Sequence, residues 1–316
     1  MKVVVLGASG ETGRSIVSGL LESPDKFEIT AVSRPSSLES KNNQTLKKLG
    51  VNLVGLDLDG PQDEWVRLFT GIDVVISAVN AAVLRAQIPI ADAAKKAGVG
   101  RFIPCCFATA CPPRGVMQVR EIKEDVLDHI KKIYLPYTVI DVGWWYQISA
   151  PRLPSGRVDY AVAFPSDHIA GDGTAPVART HLQDVGRYVA RIIADPRTLN
   201  KMVFAYSEVI SQGQVVDMLE KASGEHLDRN YISELELNSQ VHSSQEALRL
   251  GDVSAIQGLW VAQYQLSWGI RGDNSPEHAK YLGYLDCKEL YPDMTYITFE
   301  EYVKELLNGK AIRVYA

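Results

Sequence analysis

Cysteine is scarce in this chain: four residues in 316, too few for a disulfide framework. Long basic runs are missing as well. The formal charge is -5, from 33 basic and 38 acidic side chains, so nothing supports nucleic acid as a partner. No stretch approaches the roughly 18 apolar residues of a membrane span. The opening run "VVVLG" follows Met1-Lys2 directly and is too short and too early for a secretory signal. Three of the cysteines fall together, at Cys105, Cys106 and Cys111. No nearby histidine or second Cys-x-x-Cys completes a tetrahedral set, so no metal is expected. A soluble, cytoplasmic protein is the expectation, with no nucleic acid, membrane or metal among its partners.

What the chain does have is alternation. Apolar runs at 2–7, 27–34, 51–58, 73–79, 101–107 and 137–143 read as strands. Segments of helical spacing at 13–23, 44–50, 64–71, 87–98 and 120–133 lie between them. Continuous apolar strands alternating with helices predict an α/β fold, a parallel sheet covered on both faces. Ligands in such sheets sit over the carboxyl ends of the strands, so those ends are the places to search. Past residue 150 the alternation fades. Amphipathic helices are expected over 184–196, 211–224 and 298–309. The expected organisation is a cofactor-binding domain over 1–150. A smaller, mainly substrate-binding part over 151–316 is interleaved with it.

The first strand runs into "GASGETG" (7–13) and then a helix. Gly7 permits a tight turn, Gly10 lets backbone N–H groups approach a pyrophosphate, and Gly13 allows close helix–strand packing. A glycine triplet alone is weak evidence, but strand before and helix after is the context a dinucleotide needs. The second strand ends at Ser33-Arg34, where an NAD enzyme usually carries an acid for the ribose 2′-hydroxyl. An arginine there suits a 2′-phosphate, which selects NADP(H), with Ser36 and Ser37 as further donors. The other reading leaves Arg34 as a solvent-facing loop residue. Asp57 either meets an adenine amino group or caps the next turn.

A proton donor is harder to find. The Tyr-x-x-x-Lys pattern of short-chain dehydrogenases is absent, because Val119 stands four residues before Lys123. Lys123 lies on the helix after the fifth strand. It reads either as an acid/base or as an ordinary solvated lysine.

Several motifs together carry a family resemblance: "GASGETG", the Ser-Arg after strand two, "DVVISAV", "QIPIADAAKKAGVGRFIP", "LPYT", "GDG" (171–173), "DVGRYVARIIADPRTLNK", "RGDN" (271–274) and "ELYPD" (289–293). The chain resembles the NmrA-like and isoflavone reductase-like branch of the atypical short-chain dehydrogenases, most of all its fungal secondary-metabolite members. The resemblance runs through nearly the whole chain. It implies a Rossmann-type doubly wound sheet, bound NADP(H), and Lys123 as the catalytic lysine that precedes the Pro136-Tyr-Thr strand. The cofactor-binding set it implies is Gly7, Ser9, Gly10, Glu11, Thr12, Gly13, Arg34, Asp57, Ala78, Val79, Gln87, Cys105, Phe107 and Lys123. Strand five departs from the family's Pro-Ser-Glu-Phe-Gly, reading "PCCFA" here, and strand six ends in "DVGWWYQ". The substrate side is therefore rebuilt, and the plant substrates do not carry over.

Trp144, Trp145 and Tyr146 form the densest aromatic cluster, and Trp260, Tyr264 and Trp268 recur every four residues. Either these wall a flat apolar ligand or they pack the core. The expected substrate contacts are Cys106, Trp144, Trp145, Tyr146 and Trp268. His168 and His181 fall in the same half; each reads either as a substrate contact or, as lone histidines more often are, as structural. The cysteines of "PCCFATACPPRG" read as small apolar residues ending buried strand five.

Two functions follow. One is an NADPH-dependent reductase of a ketone, conjugated enone, quinone methide or imine in an aromatic or polyketide-derived metabolite, with Lys123 giving or relaying the proton. The other is a non-catalytic NADP(H) sensor of the NmrA kind. A monomer or a homodimer is expected.

Overall fold

The structure, a computed structural model, describes residues 1–22, 27–164 and 168–315. Contacts divide the chain into two compact units. The first takes Met1–Phe107, Ile122–Asp141 and Leu182–Val203. The second takes Ala108–Glu121, Val142–His181 and Phe204–Ala316.

In the first unit, β1 (Lys2–Leu6) leads to α1 (Glu11–Leu21), β2 (Glu28–Ser33), α2 (Lys41–Lys48), β3 (Asn52–Gly55), α3 (Gln62–Phe69), β4 (Val74–Ser77), α4 (Gln87–Ala97) and β5 (Arg101–Ile103). The five strands form one sheet in the order β3-β2-β1-β4-β5. Every pairing is parallel. Strand order reverses beside β1, the switch point at which ligands of doubly wound sheets bind. Val3, Val4, Val5 and Leu6 are all fully buried, so β1 is covered on both faces, as its unbroken apolar run predicts. Val4, Leu6, Val32 and Val75 pack against Trp65 and Phe69 of α3, Ile90 and Ala94 of α4, and Val126 and Ile130 of α5 (Gln118–Lys132).

Two strand ends differ from the sequence reading by three residues or more. The third strand stops at Gly55, not at residue 58. The fifth stops at Ile103, not at residue 107. Pro104 has no N–H for a ladder, and the Cys105 N–H turns to a side chain, the Gln87 Oε1 at 2.8 Å. The sixth strand, β6 (Thr138–Asp141), does not continue the main ladder. One parallel bridge, Phe102 to Tyr137, links it to β5, and its sheet neighbour is the strand Lys201–Phe204. Ser23, the expected end of the first helix, lies outside the described residues.

The helix Leu182–Ala194, α6, returns to the first unit and packs along α1. Their backbones touch. A Cβ on Gly186 would stand 1.8 Å from the Ser15 carbonyl oxygen, and one on Gly19 would stand 2.1 Å from the Gly186 carbonyl carbon. The Ser15 hydroxyl donates to Leu182 O at 2.5 Å and accepts from Gly186 N–H at 2.9 Å.

The second unit is built from short pieces: β7 (Trp144–Trp145), β8 (Ile169–Ala170), β9 (Ala178–Thr180), and, after β10 (the strand Lys201–Phe204), β11 (Glu208–Val209) and β12 (Tyr231–Ile232). Its helices include α7 (Gln212–Ser223), α8 (Glu234–Arg249) and α9 (Ile256–Tyr264), which runs on into a π-helical stretch, Gln265–Ile270. The expected range 211–224 matches α7 with its two caps. Ser211 closes a capping box with Gln214, and α7 ends at Gly224 in the left-handed region. The core gathers Tyr146, Val158, Val215, Leu219, Phe299, Tyr302 and Leu306. No helix among the described residues is long and apolar enough to cross a membrane.

Candidate functional site

The loop after β1 supplies the first part of the site. Gly7 takes φ 73°, and a Cβ there would meet the Ala78 carbonyl oxygen at 2.4 Å. At Gly13 a Cβ would stand 2.1 Å from Gly7 O, so both glycines are demanded by the protein itself. Gly10 is different. Its nearest Cβ neighbour is Gly7 O at 3.4 Å, and the residue is exposed. The space a Cβ would fill there is open.

Gly10 caps α1 with no side-chain bond, and the first helical bond runs from Arg14 N–H to Gly10 O. The N–H groups of Glu11, Thr12 and Gly13 therefore form an uncapped helix start, suited to an anion. The Glu11 carboxylate, which would repel one, is turned to Arg14 at 2.5 Å. Ser9 lends its carbonyl to Asn42 Nδ2 at 3.4 Å.

β2 ends at buried Ser33, and Arg34 follows, exposed, at the start of a 3-10 turn, Pro35–Ser37. The Arg34 guanidinium has no hydrogen-bond or ion-pair partner among the described residues. Fully buried Asn43 fixes this turn. Its Oδ1 accepts from Ser33 Oγ at 3.0 Å, and its Nδ2 donates to Ser37 O at 2.7 Å. The apolar pattern carries no sign of Asn43, which lies in the first turn of α2, capped by Ser40. Asp57 is exposed beyond the end of β3, where its carbonyl accepts from Gly60 N–H.

The ends of β4 and β5 converge. Ala78 and Val79 are half-buried. The Cys105 thiol donates to Val79 O at 3.2 Å. Burial pushes that thiol up from its ordinary value, the Lys123 ammonium works against this, and the Asp141 carboxylate adds to it. Cys106 lies with Leu127 and Val139 in a small apolar cluster of the first unit, which accounts for its burial without a ligand. The expected place of these cysteines at the end of strand five fails, because β5 stops at Ile103. Phe107 is buried and holds φ 40°, rare for a residue with a Cβ, while its N–H donates to Ile140 O at 2.8 Å.

Lys123 is 8 % exposed, on α5, and its ammonium donates to the Cys106 carbonyl. The solvated-lysine reading is thereby set aside. Gln87 is buried, and both ends of its amide are occupied by protein, Leu84 O at 2.9 Å and Cys105 N–H at 2.8 Å.

The aromatic residues belong to the second unit and part company there. Trp144 is half-buried, with its ring 5.2 Å from Tyr264 and 5.5 Å from Trp268. Its Nε1–H donates to Ile148 O at 3.2 Å. Trp268 is buried in the π-helical stretch, and its Nε1–H has no partner among the described residues. Trp145 stacks on Tyr315 at 6.0 Å. Tyr146 is fully buried with its hydroxyl on Glu208 Oε2 at 2.8 Å, so it belongs to the core and not to a pocket wall. Trp260 reaches Gln118 Oε1 at 3.2 Å, away from the other two members of its series. His181 is buried edge-on to Tyr146, and His168 is exposed. Among the described residues no acidic, cysteine and histidine cluster could hold a metal ion.

Comparison with known proteins agrees with this frame. Residues 1–303 match the NmrA-like family. An Asnovolin J 5′,6′-dehydrogenase of Aspergillus novofumigatus is 46% identical over 98% of this chain and 96% of its own length. An isoflavone reductase-like protein of Olea europaea is 28% identical over 97% of this chain and 98% of its own. Among solved structures, the leucoanthocyanidin reductase–NADPH binary complex of Vitis vinifera superposes with a TM-score of 0.82. It shares 22% identity, over 98% of this chain and 100% of that one.

Proposed function

The chain belongs to the NmrA-like family and is an oxidoreductase, and from that premise we propose that it exchanges hydride between NADP(H) and an aromatic or polyketide-derived secondary metabolite. The reacting group is a ketone, a conjugated enone or quinone methide, or an imine.

The residues present fit the cofactor. Gly10 leaves open the space a Cβ would fill, and the N–H groups of Glu11, Thr12 and Gly13 face a pyrophosphate with the helix dipole behind them. The exposed Arg34 guanidinium, unpartnered and carried on a turn that Asn43 holds rigid, receives the 2′-phosphate. Bound there, NADP(H) supplies or takes up the hydride.

The observation that carries the reading is Lys123: a buried ammonium at the carboxyl edge of a parallel sheet, seated on a backbone carbonyl. One of its Nζ–H groups rests on Cys106 O. The remaining ones donate a proton to the substrate oxygen or nitrogen during reduction, and Nζ takes it back in the oxidising direction. In the second unit, Trp144 and Tyr264 offer a half-buried aromatic surface to a flat substrate.

The test uses NADPH consumption across ketones, enones and imines, and NADP+ reduction across the corresponding saturated compounds. Lys123→Ala is expected to lower turnover by about 100-fold or more, with NADPH affinity held within about threefold. Undiminished turnover would take Lys123 out of the reaction. NADPH binding without turnover of any compound would favour the sensor.

A further inference from the structure

Gln87 opens α4 and is 1 % exposed. A carboxamide so deeply buried must place both its donor and its acceptor. The amide orientation is settled by its partners: only Oε1 suits the Cys105 N–H, at 2.8 Å, and only Nε2 suits Leu84 O, at 2.9 Å. The side chain thus ties the start of α4 to the loop that follows β5.

That loop is anchored on its other side too. Phe107 N–H donates to Ile140 O at 2.8 Å, and Phe107 is held at φ 40°. Between the anchors stands Cys106, with its N–H on Pro104 O at 2.8 Å and its carbonyl under the Lys123 ammonium. The carbonyl that seats the lysine lies one residue beyond the amide that Gln87 holds. No regular ladder bond fixes that loop, because β5 ends at Ile103.

We infer that Gln87 is a positioning residue: through the Cys105 amide it sets the Cys106 carbonyl, and so the resting place of the Lys123 ammonium. It does this in place of the cofactor contact expected from the sequence. The inference rests on the reading of Lys123 as the proton-bearing group, but the seat itself is measured without turnover.

The experiment uses the full chain with NADP+ present. Gln87→Met keeps the length and bulk of the side chain and removes both hydrogen bonds. Lys123 acetylation by an N-hydroxysuccinimide ester is followed by peptide mass spectrometry, with exposed Lys131 and Lys96 as internal controls. Lys123 is expected to react about tenfold faster in the variant, the controls not at all faster, and NADPH affinity to stay within about twofold. Turnover, where a substrate is in hand, falls about 10-fold to 100-fold through kcat, with the KM for NADPH unchanged.

An unchanged Lys123 rate overturns the inference, and a raised NADPH dissociation constant with an unchanged rate returns Gln87 to the cofactor. If Gln87→Met gives no cooperative unfolding transition, amide exchange in the wild type decides. Protection of the Cys105 N–H equal to that of the β5 amides supports the brace, and exchange at the rate of exposed loop amides ends it. Lys123→Ala retaining full turnover would remove the proton donor while leaving the measured seat of the lysine intact, so the two failures are distinguishable.

Discussion

The two units are joined internally by different means. In the first, main chain meets main chain: Gly13 lies on Gly7, Gly7 on Ala78, and Gly19 on Gly186, each too close for a Cβ. In the second, long polar side chains reach across to backbone. Buried Arg179 donates to Ile210 O and to Ser149 Oγ, and Asn274 joins Ala178 O to Ala110 N–H. Lys288 caps Ser207 O while lying over the rings of Tyr206 and Tyr296. The division is not absolute, since Arg101 of the first unit holds Ile192 O and Thr198, and Gly143 of the second lies on Ala178, where a Cβ would stand 2.4 Å from the carbonyl oxygen. It still teaches where tolerance lies. Backbone contact accepts no added atom, and side-chain bridging accepts change so long as donors and acceptors stay matched.

Gly186→Val breaks the first arrangement most directly. Its side chain would occupy the space of the Ser15 carbonyl, so a loss of about 4 kcal/mol, or failure to fold, is expected in urea unfolding. A variant within 0.5 kcal/mol of wild type, on the order of ordinary surface changes, would show that α1 and α6 separate without cost.

Gly10→Val sharpens the same comparison, because Gly10 alone in its loop has room. Stability should hold within about 0.5 kcal/mol while NADPH affinity drops about 100-fold in a fluorescence titration. Loss of stability with affinity retained would make Gly10 a packing glycine like its neighbours.

Arg34→Ala comes next, with NADPH affinity expected to fall about tenfold or more and NADH affinity unchanged. Equal losses for the two nucleotides would sink the 2′-phosphate assignment.

Ser211→Ala, in the second unit, has the smallest effect. It opens the capping box of α7 and should cost about 1 kcal/mol, a shift of a few degrees in Tm.

What the sequence made legible follows the same line. The period of the apolar residues located β1 to β5 and their helices, because each is determined by its own pattern. Ends set by distant partners were not visible. β5 was read to residue 107, and it stops at Ile103 because Gln87, far back in the chain, takes the Cys105 amide. The Trp144-Trp145-Tyr146 run looked like one cluster. In a two-residue strand, neighbours point to opposite sides, so Trp144 meets Trp268 and Trp145 meets Tyr315, while Tyr146 turns into the core. Lys123 was a candidate from its place after strand five, but only family resemblance favoured it over a solvated lysine, because burial is not written in a helix that also carries Lys131 and Lys132.

The pairing of α1 with α6 also sets a timetable. α1 ends at Leu21 and α6 begins at Leu182. At roughly 5 to 20 residues per second, the glycine-lined face of α1 leaves the ribosome about ten to thirty seconds before the helix that covers it. During that interval the nascent first unit carries an unburied seam. Any chaperone that attends this chain during synthesis therefore has a defined stretch to shield, and a defined moment, the arrival of Gly186, at which to let go.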